Sequence, residues 1–195
     1  MLEPELLDQV IQGNQEAFTH LVETYQKPVF NLCYRMLADA DEAEDVAQET
    51  FLRVYRNIKN YDTNRPFSTW LLSIAAHSCI DLLRKRRMLI LSLDSTPYLD
   101  PADGSAGPEG MFFLKEDQRR VQALLTTLNP HDRAAVVMYY WYDFSYEEIA
   151  SSLSLTTSAV KSRLHRARLS MAQTWSKPNG TSYVPERNPH ESSAF

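Results

Sequence analysis

The sequence has 195 residues and a net charge of −5, which allows one large or two small domains with modest hydrophobic cores. Only five residues are glycine, and the apolar residues recur at helical spacing, so we expect an all-helical protein. The first residues show no signal-peptide pattern and no apolar run is long enough to span a bilayer, which predicts a cytoplasmic protein without a membrane span. The two cysteines, Cys33 and Cys79, lack a C-x-x-C spacing, so we expect buried thiols, no metal site and no cofactor.

The charge is divided into alternating blocks along the chain. Residues 1–62 carry five basic and twelve acidic side chains, whereas residues 63–88 carry five basic side chains and one acidic side chain. Residues 89–117 are acidic again, and residues 118–175 carry seven basic side chains against four acidic ones. Two basic blocks predict two contacts with nucleic acid, and the acidic blocks predict surfaces that face other partners or shield the basic ones.

The first part of the chain predicts three helices. Residues 5–36 have the apolar spacing of two helices, of which the second is capped by Asn14 and is kinked or broken near Pro28. Residues 39–58 predict a third helix, with acidic side chains in its first turns as the helix dipole favours. The polar face of this third helix is either a solvated surface or a protein-docking surface, and it consists of Asp45, Gln48, Glu49, Leu52 and Arg53.

A polar loop and a long helix follow. Residues 61–67 form the loop, Ser68 is placed to cap the helix, and the helix ends in the basic run of residues 84–87, RKRR. This run complements the helix dipole and also offers a phosphate site. A loop with Asn, Arg and Phe beside a basic helix is suited to hold unpaired bases, although this signal is weak when taken alone.

Beyond this helix, the composition predicts a linker and a second helical unit. Residues 90–110 are rich in Asp, Pro, Ser and Gly and have no period, which is typical of a linker. Residues 113–128 predict an amphipathic helix, and the Asn-Pro pair at 129–130 opens the next helix. Residues 176–195 contain three prolines and few apolar residues, which predicts a disordered tail.

Residues 145–171 have the pattern of a helix-turn-helix. Ser145 and Glu148 have the S-x-x-E spacing of a capping box, so the first helix begins at about residue 146 and ends at about residue 152. A Leu-Ser-Leu turn, which lacks the usual glycine, leads to a second helix capped by Thr156 or Thr157. The apolar stripe of this second helix consists of Val160, Leu164, Ala167 and Met171.

The opposite face of the second helix is basic. No acidic residue occurs in residues 155–175, and the face carries Lys161, Ser162, Arg163, His165, Arg166 and Arg168. A basic face alone would indicate a solvated surface, but a basic second helix in a helix-turn-helix is typical of a recognition helix in the major groove. Arg can bind guanine bidentately, and the flanking cations can neutralise phosphates. The pattern therefore favours DNA binding without defining its purpose.

Together, the two halves resemble the extracytoplasmic-function (ECF) sigma factors of bacterial RNA polymerase. The first half carries GNQEAFTHLVETY, DEAEDVAQETFLRVYR and FSTWLLSIAAHSCIDLLRKRR, similar to region 2 of that family. The second half carries LTTLNPHDRAAVVMYYW and SYEEIASSLSLTTSAVKSRLHRAR, similar to region 4. Each motif is weak alone, whereas all of them in this order over residues 10–172, with an acidic linker between, are specific.

The resemblance implies an all-α protein of two small helical domains. Region 2 would span residues 1–88 and region 4 residues 113–175, with a flexible acidic linker at 89–112 lying in the RNA exit and active-site channel of the polymerase. The chain would bind core polymerase and promoter DNA and direct promoter recognition, melting and initiation, with no catalysis of its own. An inhibitory anti-sigma factor is a further partner that the resemblance allows.

The resemblance also assigns roles to particular residues. The polar face of the third helix would dock on the coiled coil of the beta-prime clamp. The six polar residues of the second helix-turn-helix helix would read the minus-35 element as duplex. The minus-10 element would be melted and read by the loop and the long helix, through Asn64, Arg65, Phe67, Trp70, His77, Arg84 and Arg87.

Two departures from the family pattern and two alternatives remain. His77 stands where the family usually has Asn, so the minus-10 preference is expected to differ, and the Leu-Ser-Leu turn replaces a glycine-containing one. The first alternative is a free-standing helix-turn-helix regulator whose front half senses a signal or dimerises. A more distant one is an enzyme built around His77, Cys79 and Asp81, which is disfavoured because there is no phosphate loop or metal spacing.

Overall fold

The computed structural model describes residues 4–92 and 112–176, and every regular element within these ranges is helical. The predicted all-helical class is confirmed, whereas most of the predicted linker and tail lie outside the described residues. A short 3-10 turn at Ile58–Asn60 separates the third and fourth helices. The helices are α1 (Pro4–Ile11), α2 (Gln15–Leu37), α3 (Ala40–Asn57), α4 (Phe67–Ser92), α5 (Phe112–Thr126), α6 (Pro130–Tyr142), α7 (Tyr146–Leu153) and α8 (Thr157–Trp175).

Helix α2 begins where the sequence predicts but is not broken at Pro28. The Asn14 side chain caps the helix by accepting hydrogen bonds from the N–H groups of Glu16 (2.9 Å) and Ala17 (3.1 Å). The helix then continues through Pro28 to Leu37, so the predicted break is wrong. Residues on both sides of the proline are buried in the core, and this packing stabilises the helix more than the missing N–H weakens it.

Helices α3 and α4 start on two different kinds of signal. The Asp39 carboxylate caps α3 by accepting from the Glu42 N–H (2.9 Å), as predicted. Helix α4 already begins at Phe67, so the prediction that Ser68 caps it is wrong. The reason is tertiary: the Phe67 ring is buried and the Trp70 N–H donates to the Pro66 carbonyl, which places the first turn ahead of the serine. At its other end α4 extends to residue 92 and therefore includes the first residues of the predicted linker.

The second half is built from four capped helices. Asn129 caps α6 by accepting from the Asp132 N–H (3.0 Å), and Pro130 occupies the first helical position. Both bonds of the predicted capping box are present at the start of α7, between Ser145 and Glu148. Thr156, the first of the two predicted candidates, caps α8 by accepting from Ala159 N–H at 3.1 Å. The predicted helix-turn-helix is therefore formed by α7 and α8.

The turn between α7 and α8 works without glycine. Ser154 adopts a left-handed conformation with φ of 53°, and the Leu155 N–H donates to the Ala150 carbonyl at 2.8 Å. A short polar residue tolerates this conformation at a modest cost in free energy. The departure from the glycine-containing turn therefore leaves the motif intact.

The two halves pack against each other. Helices α2, α3 and α4 form the first bundle, α6, α7 and α8 form the second, and the start of α6 and the whole of α7 lie against α4. A single hydrophobic core runs through both halves, from Leu21, Met36 and Leu71 in the first to Met138, Ile149 and Leu164 in the second. The faces that remain exposed are those to be considered as binding surfaces.

Candidate nucleic-acid and polymerase interfaces

The predicted docking residues lie together on the outer face of α3. Asp45, Gln48, Leu52 and Arg53 are exposed and Glu49 is half-buried. Their spacings of three and four residues place them along one side of the helix. The Arg53 guanidinium donates to the Glu49 carboxylate at 3.0 Å, and 50 % of Leu52 is exposed. The face thus presents an apolar side chain between paired charges.

Sequence reasoning missed one residue of this face. Tyr55 lies three residues after Leu52, is 51 % exposed and packs edge-to-face against Phe18 with ring centroids 5.0 Å apart. Two large exposed apolar side chains on adjacent turns form a small apolar patch. The spacing from Leu52 was the signal that could have found Tyr55.

The loop before α4 is held by local hydrogen bonds. The Asp62 carboxylate accepts from the backbone N–H of Asn64 (3.0 Å) and from its side-chain amide (2.9 Å). The bond from that N–H, followed by the one from the side chain, lowers the pKa of Asp62. The Tyr61 hydroxyl donates to the Arg65 carbonyl. Asn64 and Arg65, both predicted to contact DNA, consequently project from a fixed loop and are exposed.

Phe67 occupies a different environment from the other predicted minus-10 residues. Its side chain is 6 % exposed and its ring contacts those of Tyr25, Tyr61 and Trp70 at centroid distances of 5.5 to 5.8 Å. A ring enclosed in this way is not available to stack on a base in this structure. Trp70 belongs to the same cluster but is only half-buried, so one part of its ring reaches the surface.

The remaining minus-10 candidates form a stripe along α4. Trp70, His77 and Arg84 are seven residues apart, which places them on one side of the helix. His77 and Arg84 are exposed, as is Arg87 one turn further on, and the His77 ring Nδ1 lies 2.8 Å from the Ser73 carbonyl. The stripe therefore runs from the loop to the basic end of α4.

The basic run at the end of α4 is not uniformly available. Arg86 forms an ion pair with Glu42 in the first turn of α3, and both side chains are partly buried. Arg84, Lys85 and Arg87 are exposed. The run thus divides into one cation that ties α4 to α3 and three that face solvent.

The predicted recognition face of α8 is exposed except at one position. Lys161, Ser162, His165, Arg166 and Arg168 are exposed, and the Lys161 ammonium lies 5.4 Å from the centre of the Tyr146 ring. Such a cation-aromatic contact restricts the lysine side chain without neutralising its charge.

Arg163 lies beside this face and turns inward. Its guanidinium donates a 2.7 Å hydrogen bond to the Asp132 carboxylate at the start of α6, and only 26 % of the Arg163 side chain is exposed. In this structure Arg163 connects α8 to α6, whereas the sequence places it among the DNA contacts.

The start of α4 and the helix-turn-helix are joined directly. The Arg65 guanidinium donates to the Ser151 hydroxyl at 2.8 Å, and the Thr69 hydroxyl donates to the Glu148 carboxylate at 3.1 Å. Burial raises the pKa of Glu148, but the hydrogen bonds from Ser145 and Thr69 outweigh it, so the pKa lies below its ordinary value. The carboxylate is thus held in its charged form between the two halves.

A second set of contacts joins the end of α2 to α5 and α6. The Gln122 side chain donates to the carbonyls of Tyr34 (3.2 Å) and Arg35 (3.1 Å), and the Arg133 guanidinium donates to the Met36 carbonyl. Burial lowers the pKa of Arg133, which is 6 % exposed. These donors satisfy carbonyls that the helix end itself leaves without partners.

The two cysteines are buried next to each other. A hydrogen bond between the thiols of Cys33 and Cys79, followed by burial, raises the pKa of Cys79. Within residues 4–92 and 112–176, no group of three or more His, Cys, Asp or Glu side chains is arranged to hold a metal ion. The same ranges contain no helix long and apolar enough to cross a membrane.

Comparison with known proteins connects both halves to one family. The family model for Sigma-70 region 2 matches residues 21–88, and that for Sigma-70 region 4 matches residues 118–171. ECF RNA polymerase sigma factor SigW of Bacillus subtilis (strain 168) is 37 % identical over 176 residues, which cover 86 % of this chain and 94 % of SigW. The match to region 2 rules out the alternative of a free-standing regulator with an unrelated front half.

Solved structures show the same fold. The structure of CnrH in complex with the cytosolic domain of CnrY aligns with a TM-score of 0.64 and 26 % identity, over 87 % of this chain and 94 % of the other. CnrH is a sigma factor of Cupriavidus metallidurans. The sigma factor RpoE of Bartonella quintana, in complex with the anti-sigma factor NepR, aligns with a TM-score of 0.66 and 20 % identity, over 83 % of this chain and 98 % of the other. Both halves of the sequence, with their order and their fold, therefore establish that this chain belongs to the ECF sigma factors of the sigma-70 family, which direct RNA polymerase in transcription initiation.

Proposed function

We propose that three exposed surfaces divide the work of initiation between them. The outer face of α3 docks on the beta-prime clamp of core polymerase, the loop and stripe of α4 open and read the minus-10 element, and α8 reads the minus-35 element as duplex. Region 2 then corresponds to residues 1–88 and region 4 to residues 113–175, joined by the linker at 89–112. Residues 176–195 have no assigned part.

The stripe on α4 is the observation that carries this proposal. It begins at a rigid loop with exposed Asn64 and Arg65 and ends about 30 Å away, at 1.5 Å per residue, in the exposed cations of the basic run. Such a surface can hold the backbone of a displaced strand along the helix while the loop takes an unstacked base. Phe67 supports the loop from below, since its ring packs on Tyr61.

The recognition helix supports the minus-35 role by its distribution of charge. Arg166 and Arg168 are exposed on a face with no acidic residue, and Ser162 and His165 lie beside them. Arginine reads guanine through two parallel hydrogen bonds, and lysine neutralises phosphates. We assign Arg166 to a base edge and Lys161 to the DNA backbone.

The docking role of α3 is supported by its exposed apolar patch. Leu52 and Tyr55 are each about half exposed, although large apolar side chains are usually buried when nothing covers them. Gln48 and the Arg53–Glu49 pair surround the patch with polar groups. An apolar centre with a polar rim is the usual composition of a protein interface.

Further partners follow from the family. CnrH and the Bartonella RpoE were solved in complex with CnrY and NepR, and we propose an anti-sigma factor as a regulatory partner here also. The site of action would be the cytoplasm, where polymerase and promoter DNA are found. The chain would contribute binding surfaces and no catalytic group.

Permanganate footprinting on promoter DNA tests the central assignment. With core polymerase and this chain, thymines around the minus-10 element should become reactive, because the strand is unpaired. Replacing Arg84 and Arg87 together by Ala should reduce that reactivity, whereas Arg119→Ala, an exposed arginine on α5, should not. Protection of duplex DNA without any reactive thymine would contradict the proposal.

A further inference from the structure

The two DNA-reading parts of the molecule are in direct contact. Arg65 and Thr69, at the loop and first turn of α4, are hydrogen-bonded to Ser151 and Glu148 on the first helix of the helix-turn-helix. The separations are 2.8 and 3.1 Å, so no space remains between these elements. The contact lies at the end of α4 where the proposed function places the flipped base.

This contact conflicts with the span of a promoter. The minus-10 and minus-35 elements are about 25 base pairs apart, which is about 80 Å along duplex DNA. The recognition helix has 19 residues and is therefore only about 28 Å long. A molecule whose α4 loop touches α7 cannot place that loop on one element and α8 on the other.

We infer that the packed arrangement is a closed form in which region 4 serves as an internal ligand of region 2, and that the halves separate before the promoter is read. The inference rests on the proposed minus-10 and minus-35 roles. In the closed form α7 occupies the start of α4, and the melted strand and α7 compete for it.

The chemistry of the contact suits an interface that has to open. Gln122 and Arg133 donate to the last carbonyls of α2, where the helix dipole places partial negative charge. Arg133 also donates to the Thr126 and Leu128 carbonyls of its own half, so it keeps partners when the halves separate. The bonds of Gln122 and Arg65 lie at exposed or partly exposed positions, where water can replace them.

Closure leaves the docking face free. Leu52 and Tyr55 are about half exposed in the closed form, and they lie on α3, which is not among the helices that contact region 4. The closed protein can therefore bind polymerase first and open afterwards. This order would keep the unbound protein from reading promoters.

A reversible covalent lock tests the inference. Ala38 and Thr126 are exposed on opposite sides of the groove between α2 and α5, so an Ala38→Cys, Thr126→Cys variant can be bridged there by a flexible bifunctional thiol reagent with a cleavable disulfide. The native Cys33 and Cys79 are buried and are spared, and the two single-cysteine variants control for modification alone.

The lock should leave polymerase binding intact and abolish permanganate reactivity at the minus-10 element, and reduction should restore it. Equal melting by the locked and the reduced protein would overturn the inference. Loss of polymerase binding on locking would overturn the proposed order of events. A reduced protein that fails to melt any promoter would instead contradict the proposed function, and the inference with it.

A charge placed at the end of α2 tests the closed form without polymerase. Gln122→Glu sets a carboxylate against the Tyr34 and Arg35 carbonyls and should open the protein, which small-angle X-ray scattering would detect as a larger radius of gyration. Gln118→Glu makes the same charge change one turn earlier on α5, at an exposed position, and should leave the radius unchanged. A wild-type protein already as extended as Gln122→Glu would rule out the closed form.

Discussion

Arg163 on the recognition helix is bound to Asp132 at the start of α6 by a 2.7 Å hydrogen bond between opposite charges. Asp132 is 6 % exposed and also accepts from the Asn129 side-chain amide, so its carboxylate is enclosed by donors. Removal of one partner from such a pair leaves a poorly solvated charge. The pair therefore fixes α8 against α6 and sets how the reading face is presented.

We expect Arg163→Ala to weaken the fold rather than a DNA contact. Loss of a charge-assisted hydrogen bond at a partly buried site should lower the free energy of unfolding by about 2 kcal/mol. Urea denaturation measures this loss, and Arg168→Ala, on the exposed face, is the matched control. Unchanged stability together with a weaker salt dependence of minus-35 binding would show that Arg163 contacts a phosphate after all.

Arg166 and Lys161 should differ in how they affect DNA binding. With polymerase present, Arg166→Ala should cost about 1–3 kcal/mol and relax the preference at one position of the minus-35 element. Lys161→Ala should weaken binding to all sequences alike, because a phosphate carries no sequence information. Affinities measured over a randomised minus-35 library separate the two effects, and a uniform loss for both variants would contradict base reading by Arg166.

The α3 face should be required for polymerase binding and not for folding. The double substitution Gln48→Ala, Leu52→Ala removes exposed side chains, so the melting temperature should stay close to that of the wild type while co-purification with core polymerase is lost. Leu169→Ala, a similarly exposed leucine on α8, should co-purify normally. Normal co-purification of the double variant would remove α3 as the docking surface.

His77 should influence which base is preferred in the minus-10 element. It is exposed in the middle of the α4 stripe, where an imidazole and an amide offer different hydrogen-bonding groups to a base. His77→Asn should shift the preferred base at one position without changing stability. Transcription from a library of minus-10 sequences gives the comparison, and an unchanged profile would place His77 away from the bases.

Stability should fall on mild acidification because of His131. Burial lowers the pKa of His131 below its ordinary value of 6.5, and further contributions come from Arg163, Arg84 and His77, opposed by Asp132. Below pH 6.5 the unfolded chain then binds the proton more readily than the folded one, so the free energy of unfolding decreases as the pH falls from about 7.5 toward the folded pKa. His131→Gln should reduce this dependence in denaturation curves at several pH values, and an identical dependence would assign it to other groups.

Local sequence patterns determined the helices and their caps because these depend on residues within a few positions of one another. Asn14, Asp39, Asn129, Ser145 and Thr156 all cap as expected, and the apolar stripe of α8 is buried except for the half-buried Met171. The order of motifs determined the family for the same reason, since each motif is a continuous stretch of chain.

Only the tertiary structure decided which of the candidate side chains are free to bind. Arg163 and Asp132 are 31 residues apart in the chain, and no periodicity links them, so their ion pair depends on how α8 packs on α6. The same holds for Arg86 with Glu42 and for Phe67, whose ring is enclosed by aromatic side chains from α2 and from its own loop. The contact of α4 with α7 was also beyond the sequence, because the spacing of residues within each half carries no information on how the two halves meet.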